Sequence, residues 1–166
     1  RQKSYYEKEV ELQDGGKKTV LVTENWIGND EVLEGFTYTY WKEVTDAIGV
    51  SGDGKKTVKV TENYLNLDGN KEVDRIGENP DTSVIESMYY AHYEGVTGKL
   101  ILERFEGIKG ELVKVGVERR STVAHGKYAA TLTEQMDPTG SIVTGISYTW
   151  KQEGGYDNED TGKVVT

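Results

Sequence analysis

The sequence predicts an all-β protein, an antiparallel barrel or sandwich built from repeated β-hairpins with about 9–11 strands. Short runs alternate β-branched or aromatic residues with polar ones, which is the period of a half-buried strand. The 166 residues include 20 glycines and 2 prolines, a composition typical of many turns between short strands. A hairpin-like segment also recurs, which indicates duplication of one unit. The length favours a single domain over residues 1–166.

The clearest repeat joins two segments of similar sequence. Residues Asp14–Trp26 contain Lys-Lys-Thr-Val-Leu-Val-Thr-Glu-Asn, and residues Asp53–Tyr64 contain Lys-Lys-Thr-Val-Lys-Val-Thr-Glu-Asn. An aromatic strand precedes each segment, Tyr5–Val10 in the first copy and Tyr38–Val44 in the second. Each copy therefore predicts an outgoing aromatic strand, a Gly/Asp turn and a returning Thr-Val-x-Val-Thr strand.

Weaker copies and further strands complete the predicted sheet. Two further aromatic segments, Tyr89–Gly95 and Gly145–Lys151, have return strands at Gly98–Glu103 and Thr161–Thr166. The remaining strand candidates lie around the turns Asp68-Gly69 and Asp137–Gly140 or precede Gly126: Tyr64–Leu67, Lys71–Ile76, Leu112–Val123, Tyr128–Thr133 and Ile142–Trp150. The choice between barrel and sandwich stays open.

Residues 82–88 have two interpretations. Pro80 precedes the segment, and Ser83 and Glu86 have the spacing of a capping box. These features predict one short helix near 82–88, and the alternative is a strand that begins near Val84.

Charge and composition disfavour several classes of partner. The formal net charge of −9 and the pI of about 4.8 oppose binding to nucleic acid, because phosphate contacts depend on Lys and Arg. The absence of cysteine removes disulfides and thiolate metal sites. No apolar stretch approaches the roughly 20 residues of a membrane span. Because the sequence begins at Arg1 rather than Met, we expect a secreted or cell-surface protein after removal of a leader.

Aromatic residues recur on the predicted strands and are the first candidate site. Such faces grip sugars, stack on partners or line a ligand cavity, although one face also fills a core. Consecutive aromatic residues must point to opposite faces of a regular strand. The candidate ligand- or partner-binding residues are Tyr38, Tyr40, Trp41, Tyr89, Tyr90, Tyr93, Tyr148 and Trp150.

An acidic segment near the end of the chain is the candidate metal site. Asp157, Asn158, Glu159 and Asp160 form a predicted loop of hard oxygen donors, which suits Ca²⁺. The alternative is an ordinary exposed loop. Calcium is the one cofactor that the sequence suggests.

The sequence shows no catalytic motif. His92 and His125 lack metal-pair spacing, and no Gly-x-Ser-x-Gly elbow is present. Solvated faces are expected for the strand glutamates Glu7, Glu9, Glu24, Glu43, Glu62, Glu103 and Glu118. Glu118–Ser121 is expected to be a solvated strand face with cross-strand ion pairs.

Three functions follow as hypotheses. The first is a non-enzymatic extracellular β protein with a structural, adhesive or self-assembly role, which exchanges its terminal strands between copies. The second is an up-and-down barrel that binds a small apolar or aromatic ligand. The third is an enzyme, either a carboxylate-based hydrolase or a barrel-type cyclase or isomerase.

Overall fold

The protein is all-β and antiparallel. A computed structural model describes residues 2–12, 16–27, 32–66, 83–95, 97–108, 111–151 and 157–162. The described residues form ten strands: β1 Gln2–Glu11, β2 Lys17–Ile27, β3 Val32–Val44, β4 Lys56–Asn66, β5 Ser83–Tyr93, β6 Leu100–Ile108, β7 Glu111–His125, β8 Tyr128–Met136, β9 Val143–Lys151 and β10 Asp157–Gly162. The predicted number of strands is confirmed.

All ten strands belong to one sheet in chain order, from β1 to β10. Each predicted hairpin whose two strands are described is a pair of sequence neighbours in this sheet. In the first, Val10 lies opposite Lys18 and Tyr6 opposite Val22. Within the described residues the strand order does not join β10 to β1, so the barrel that the sequence left open is not confirmed.

The short helix predicted near 82–88 is wrong, because β5 covers residues 83–93. The capping-box spacing of Ser83 and Glu86 indicated a helix start, yet the segment continues directly into Tyr89 and Tyr90. Aromatic and β-branched residues favour a strand, and β5 is hydrogen-bonded to its neighbours β4 and β6 in the sheet.

The turns follow the chemistry of their residues. Between β8 and β9, the N–H of Gly140 donates to the carbonyl of Asp137 at 2.9 Å, and Gly140 has a φ of 73°. Between β5 and β6, Gly98 has a φ of 68° and its N–H donates to Glu94. The predicted Asp68-Gly69 turn, the strand Lys71–Ile76 and the end of the last return strand, 163–166, lie outside the described residues.

The described residues divide into two compact units. Unit 1 comprises Arg1–Lys42, Lys59–Tyr89 and Glu106–Val113, and unit 2 comprises Glu43–Val58, Tyr90–Phe105 and Lys114–Thr166. The single domain stays a prediction.

In unit 1, one face of strand β2 is buried. On β2, Val20, Val22, Glu24 and Trp26 are buried, while Leu21 is exposed. This alternation is the expected signature of a strand with one covered face. Each fully buried valine or leucine side chain contributes about 1.5–3 kcal/mol of hydrophobic stabilisation.

The core of unit 2 is built from neighbouring strands of the sheet. Ile101, Val117 and Met136 form a buried cluster against which Ile48 and Val143 pack. The strand register accounts for part of this cluster, because Val117 lies opposite Met136 and Met136 lies opposite Val143.

Gly35 is required by a close backbone approach in unit 1. A Cβ at this position would overlap the carbonyl oxygen of Tyr64, which is a rigid backbone atom. The position also adjoins a register shift between Asn25 and Trp26 on the paired strand. The glycine therefore permits β3 to approach β4.

None of the described segments is a helix of the length and apolarity needed to cross a membrane.

Candidate functional site

The consecutive aromatic residues Tyr40 and Trp41 of β3 lie on opposite faces of the strand, as the sequence predicted. Tyr40 is 6% exposed, whereas Trp41 is 58% exposed. Tyr38 is buried on the same face as Tyr40. Tyr38 and Tyr40 therefore pack in the core of unit 1, and Trp41 faces solvent.

Tyr38 and Tyr40 lie near a buried carboxylate. The hydroxyl of Tyr40 donates to Glu62 Oε1 at 2.8 Å, and the hydroxyl of Tyr64 donates to Glu62 Oε2 at 3.1 Å. The Phe36 ring stacks on Tyr64 with centroids 4.8 Å apart. Burial, and secondarily the negative charge of Glu62, raise the pKa of Tyr38 well above its usual range.

A glutamate occupies the same position in four returning strands. It lies two residues after an aliphatic residue and two before an aromatic residue or methionine, in Val22–Trp26, Val60–Tyr64, Ile101–Phe105 and Leu132–Met136. Glu24, Glu62 and Glu103 are buried, and Glu134 is half-buried. The expectation that strand glutamates face solvent is confirmed for Glu7, Glu9 and Glu43, which are exposed. It is wrong for Glu24, Glu62 and Glu103, because residues two apart share a strand face with their apolar neighbours.

Glu103 is the centre of a charged network in unit 2. Its carboxylate accepts from Lys114 Nζ at 2.6 Å on Oε1, and from the Ile48 N–H at 3.0 Å on Oε2. His92 Nε2 lies 2.6 Å from the same Oε2. Burial opposes ionisation, but the hydrogen bonds from His92, Lys114 and Ile48, with the charge of Lys114, outweigh it and lower the pKa of Glu103.

This network fixes the orientation of His92. Since an ionised Glu103 can only accept, His92 Nε2 must donate to it. The other ring nitrogen, Nδ1, is buried and makes no hydrogen bond to any described residue.

The remaining candidates on β5 have three different environments. Tyr90 is buried and packs on Phe105 at 4.7 Å, with its hydroxyl 3.4 Å from Asp46 Oδ2. Tyr89 is half-buried, and Tyr93 is 67% exposed. These three tyrosines do not form one surface on β5.

The rings of Tyr148 and Trp150 both contact His125, a residue that the sequence analysis did not assign to a site. The His125 ring stacks on Tyr148 at 4.8 Å with an interplanar angle of 21°, and lies 4.6 Å from Trp150. His125 is on β7 and the two aromatic residues are on β9, so their rings reach across β8. Ala130 of β8 is small and buried, which leaves room for rings above it. All three rings are half-buried and so partly accessible.

The same face of unit 2 carries unpaired polar atoms. Trp150 Nε1 and Ser121 Oγ are buried atoms that make no hydrogen bond within the described part of the chain. Arg119 Nε makes no hydrogen bond of good geometry either, but it lies 3.4 Å from Glu94 Oε2 in an ion pair. Arg119, Ser121 and His125 share a face of β7 because they are separated by even numbers of residues. We name His125, Tyr148, Trp150, Ser121 and Arg119 the aromatic face of unit 2.

Charged residues border the aromatic face. Arg119 lies 3.4 Å from a carboxylate oxygen of Glu94 and 4.0 Å from one of Glu134, and Lys99 lies 3.8 Å from Glu134. The ion pair between Glu118 and Arg120 at 2.7 Å lies on the opposite side of β7. The expected solvated face in Glu118–Ser121 thus holds Glu118 and Arg120, whose ion pair lies within β7. The expected cross-strand ion pair is made by Arg119, which lies opposite Glu134 of β8, and Arg119 and Ser121 are half-buried on the other face. Arg119, Ser121 and His125 are separated by even numbers of residues, and this spacing predicts that their side chains share one face of β7.

The acidic candidate segment is not a loop. Asp157, Asn158, Glu159 and Asp160 belong to strand β10, where Asn158 lies opposite Trp150 and Asp160 opposite Tyr148. Backbone pairing with β9 accounts for the extended conformation. The side chains of this segment lie outside the described residues. The described side chains include no group of three or more acidic or histidine residues arranged for a metal ion, and calcium at 157–160 stays a prediction.

Comparison with known protein families, characterised proteins and solved structures finds no match to this chain.

Proposed function

We propose that this protein is a non-enzymatic binding protein that holds a small ligand on the aromatic face of unit 2. The proposal depends above all on the convergence of His125, Tyr148 and Trp150, whose half-buried rings are packed but not fully covered. Binding sites for small molecules combine aromatic area with a few placed polar groups. This surface combines both.

The unpaired indole N–H of Trp150 strengthens the argument. A buried tryptophan N–H normally finds a hydrogen-bond partner, and an unpaired buried donor costs about 1–3 kcal/mol. Trp150 Nε1 has none among the described residues. A ligand that displaces the atoms covering this N–H and places an acceptor there would recover that free energy on binding.

The experiment uses four single probes: methyl β-D-glucopyranoside, benzoate, benzylamine and anilinonaphthalene sulfonate. Saturation-transfer NMR on the wild type is compared with Trp150→Ala and with the matched control Trp41→Ala, since Trp41 is exposed in unit 1. We expect saturable binding of at least one probe that Trp150→Ala loses and Trp41→Ala retains. Circular dichroism must show that both variants are folded. If no probe binds in a manner that depends on Trp150, the proposal is wrong.

Self-assembly through terminal strands is the second candidate. Its support is that β1 and β10 each have a single neighbour in the described sheet, and that Tyr5 on β1 is 64% exposed. Glu7, Lys8 and Glu9 put charge on β1, which is a common protection of an edge against pairing. The geometry therefore supports assembly less well than ligand binding.

Removal of residues 1–12 tests the assembly hypothesis. If copies exchange this strand, light scattering should show a lower mass for the truncated protein than for the wild type. An unchanged size in solution would overturn strand exchange. An extracellular location and an enzymatic activity remain hypotheses.

A further inference from the structure

The loop between β3 and β4, residues 45–55, packs on the core of unit 2 through a short part of its length. Ala47 is buried, and the half-buried Ile48 packs against the core cluster described above. Ile48 also reaches the turn between β8 and β9, where a Cβ on Gly140 would come within 2.7 Å of Ile48 Cδ1. Residues 51–55 are exposed. The apolar contact of the loop with the core therefore comes from a few side chains near its start.

The hydrogen bonds that join this loop to the strands meet at Glu103. The Ile48 N–H donates to Glu103 Oε2 at 3.0 Å. Lys114 Nζ donates to Glu103 Oε1 at 2.6 Å and also to the carbonyl of Asp46 at 3.3 Å. The hydroxyl of Tyr90 donates to Asp46 Oδ2 over a longer distance, 3.4 Å. Among these bonds to the loop, the shortest is the one that Glu103 accepts.

Other hydrogen bonds of the loop are internal to it. The Val50 N–H donates to the carbonyl of Ala47 at 3.2 Å, and the Gly54 N–H donates to the carbonyl of Ser51 at 3.1 Å. Neither bond depends on a strand, so both can persist when the loop moves away from the core. A segment with few buried apolar contacts opens at a lower free energy than a core strand does.

The groups that face Glu103 favour its ionised form. His92 Nε2 of β5 and Lys114 Nζ of β7 each lie 2.6 Å from one of its oxygens, and the loop places the exposed acidic residue Asp46 beside Lys114. Burial opposes ionisation, but the hydrogen bonds from His92, Lys114 and Ile48, with the charge of Lys114, outweigh it and lower the pKa of Glu103. Since a charged acceptor forms a stronger hydrogen bond than a neutral one, Glu103 holds the Ile48 N–H most strongly when it is ionised.

We propose that the loop of residues 45–55 is a lid on the core of unit 2, and that Glu103 is the residue that holds it closed. The lid opens as a local unit while the strands of unit 2 stay paired, and its opening uncovers the side of the core cluster that Ile48 contacts. A neutral Glu103 releases the lid, because the Ile48 N–H then loses its charged acceptor. Release by acid follows as the pH falls below about 4.3, the ordinary pKa of glutamate, and through the lower value of the folded protein. The lid does not depend on a ligand at the aromatic face.

Native-state hydrogen exchange followed by NMR tests whether the loop opens by itself. The exchange rate of the Ile48 N–H is measured at pH 7 in a series of low urea concentrations and compared with the slowest amides of β8. A local opening exposes little surface, so its rate changes little with urea, whereas exchange by global unfolding accelerates steeply. We expect the Ile48 N–H to exchange faster than the slowest β8 amides and to depend less on urea.

Glu103→Gln tests what holds the loop closed. This substitution should accelerate exchange of the Ile48 N–H about ten- to a hundredfold, the effect of losing a charged acceptor. The N–H of Gly98, which donates to Glu94 in another turn of unit 2, should stay within about twofold. The matched control Glu118→Gln, which removes a carboxylate paired with Arg120, should leave both amides within about twofold. If Glu103→Gln fails to fold, the wild type at pH 3 gives the same comparison after correction for intrinsic exchange, because acid neutralises the carboxylate.

Two results would overturn the proposal. If the Ile48 N–H exchanges at the rate of the slowest β8 amides and with the same urea dependence, the loop opens only when unit 2 unfolds and is not a lid. If the Ile48 N–H exchanges locally but neither Glu103→Gln nor acid accelerates it, Glu103 does not hold the loop closed. Neither result bears on the binding of probes to the aromatic face, so failure of the lid and failure of the proposed function are distinguishable.

Discussion

Replacing Glu103 with glutamine removes the charge of the most enclosed carboxylate in unit 2 while it preserves the shape. Glu103 is 0% exposed, and donors face both of its oxygens: Lys114 on Oε1, Ile48 N–H and His92 on Oε2. A glutamine has one donating end, so either orientation sets an NH₂ group against a donor. A lost charge-assisted hydrogen bond and one unpaired buried donor together cost about 3 kcal/mol.

Urea unfolding at neutral pH measures this loss, and the thermal midpoint should fall by roughly 6–12 °C for a chain of this length. The matched control is Glu118→Gln. Glu118 pairs with Arg120 on the solvated side of β7, where an exposed ion pair contributes under about 1 kcal/mol. If the two substitutions lower the free energy of unfolding equally, burial of Glu103 is not what makes its hydrogen-bond network stabilising.

Three further predictions concern pH and packing. Because folding lowers the pKa of Glu103, its contribution to stability is present above about pH 4.3 and is lost as the pH falls through the lower folded value. The difference in unfolding free energy between wild type and Glu103→Gln should therefore shrink in acid. A difference that stays constant with pH in urea titrations would contradict this. Gly35→Ala should lower the free energy of unfolding by about 2–3 kcal/mol, because its Cβ would clash with the backbone of Tyr64. The control Gly95→Ala, whose Cβ meets nothing within 4 Å, should change it by under about 0.5 kcal/mol. Equal losses in the two variants would exclude the clash. The raised pKa of Tyr38 predicts that stability falls as the pH rises above about 10, and that Tyr38→Phe removes part of this dependence in alkaline unfolding curves; unchanged curves would count against burial as its cause.

The repeated hairpin could be predicted from the sequence because the residues that define it lie close together in the chain. Alternation with period two places Val20, Val22 and Trp26 on one face of β2, and the second copy places Val58 and Val60 on one face of β4. The turn at Asp137–Gly140 was equally local, since Asp, Pro and Gly set its backbone angles. The segment 83–93 was ambiguous, because a capping-box spacing and a strand composition occupy the same residues.

The candidate site depends on contacts between distant residues. Tyr148 and Trp150 could be selected as aromatic residues of a strand, but their convergence on His125 requires the order β7–β8–β9 and the register across it. Ser121 belongs to no motif. Its relevance lies in a hydroxyl oxygen that is buried and makes no hydrogen bond to the described residues after folding.

The sequence by itself determined the all-β class, the approximate number of strands and the alternation of consecutive side chains between the two strand faces, because alternation and turn chemistry act between near neighbours. Tertiary structure decided which groups surround the buried carboxylate of Glu103. The position of Glu103 on its strand makes it face inward, but only folding brings Lys114, His92 and the Ile48 N–H to its carboxylate. A buried charge is tolerated only with such partners, and they come from chain segments that lie far apart in sequence.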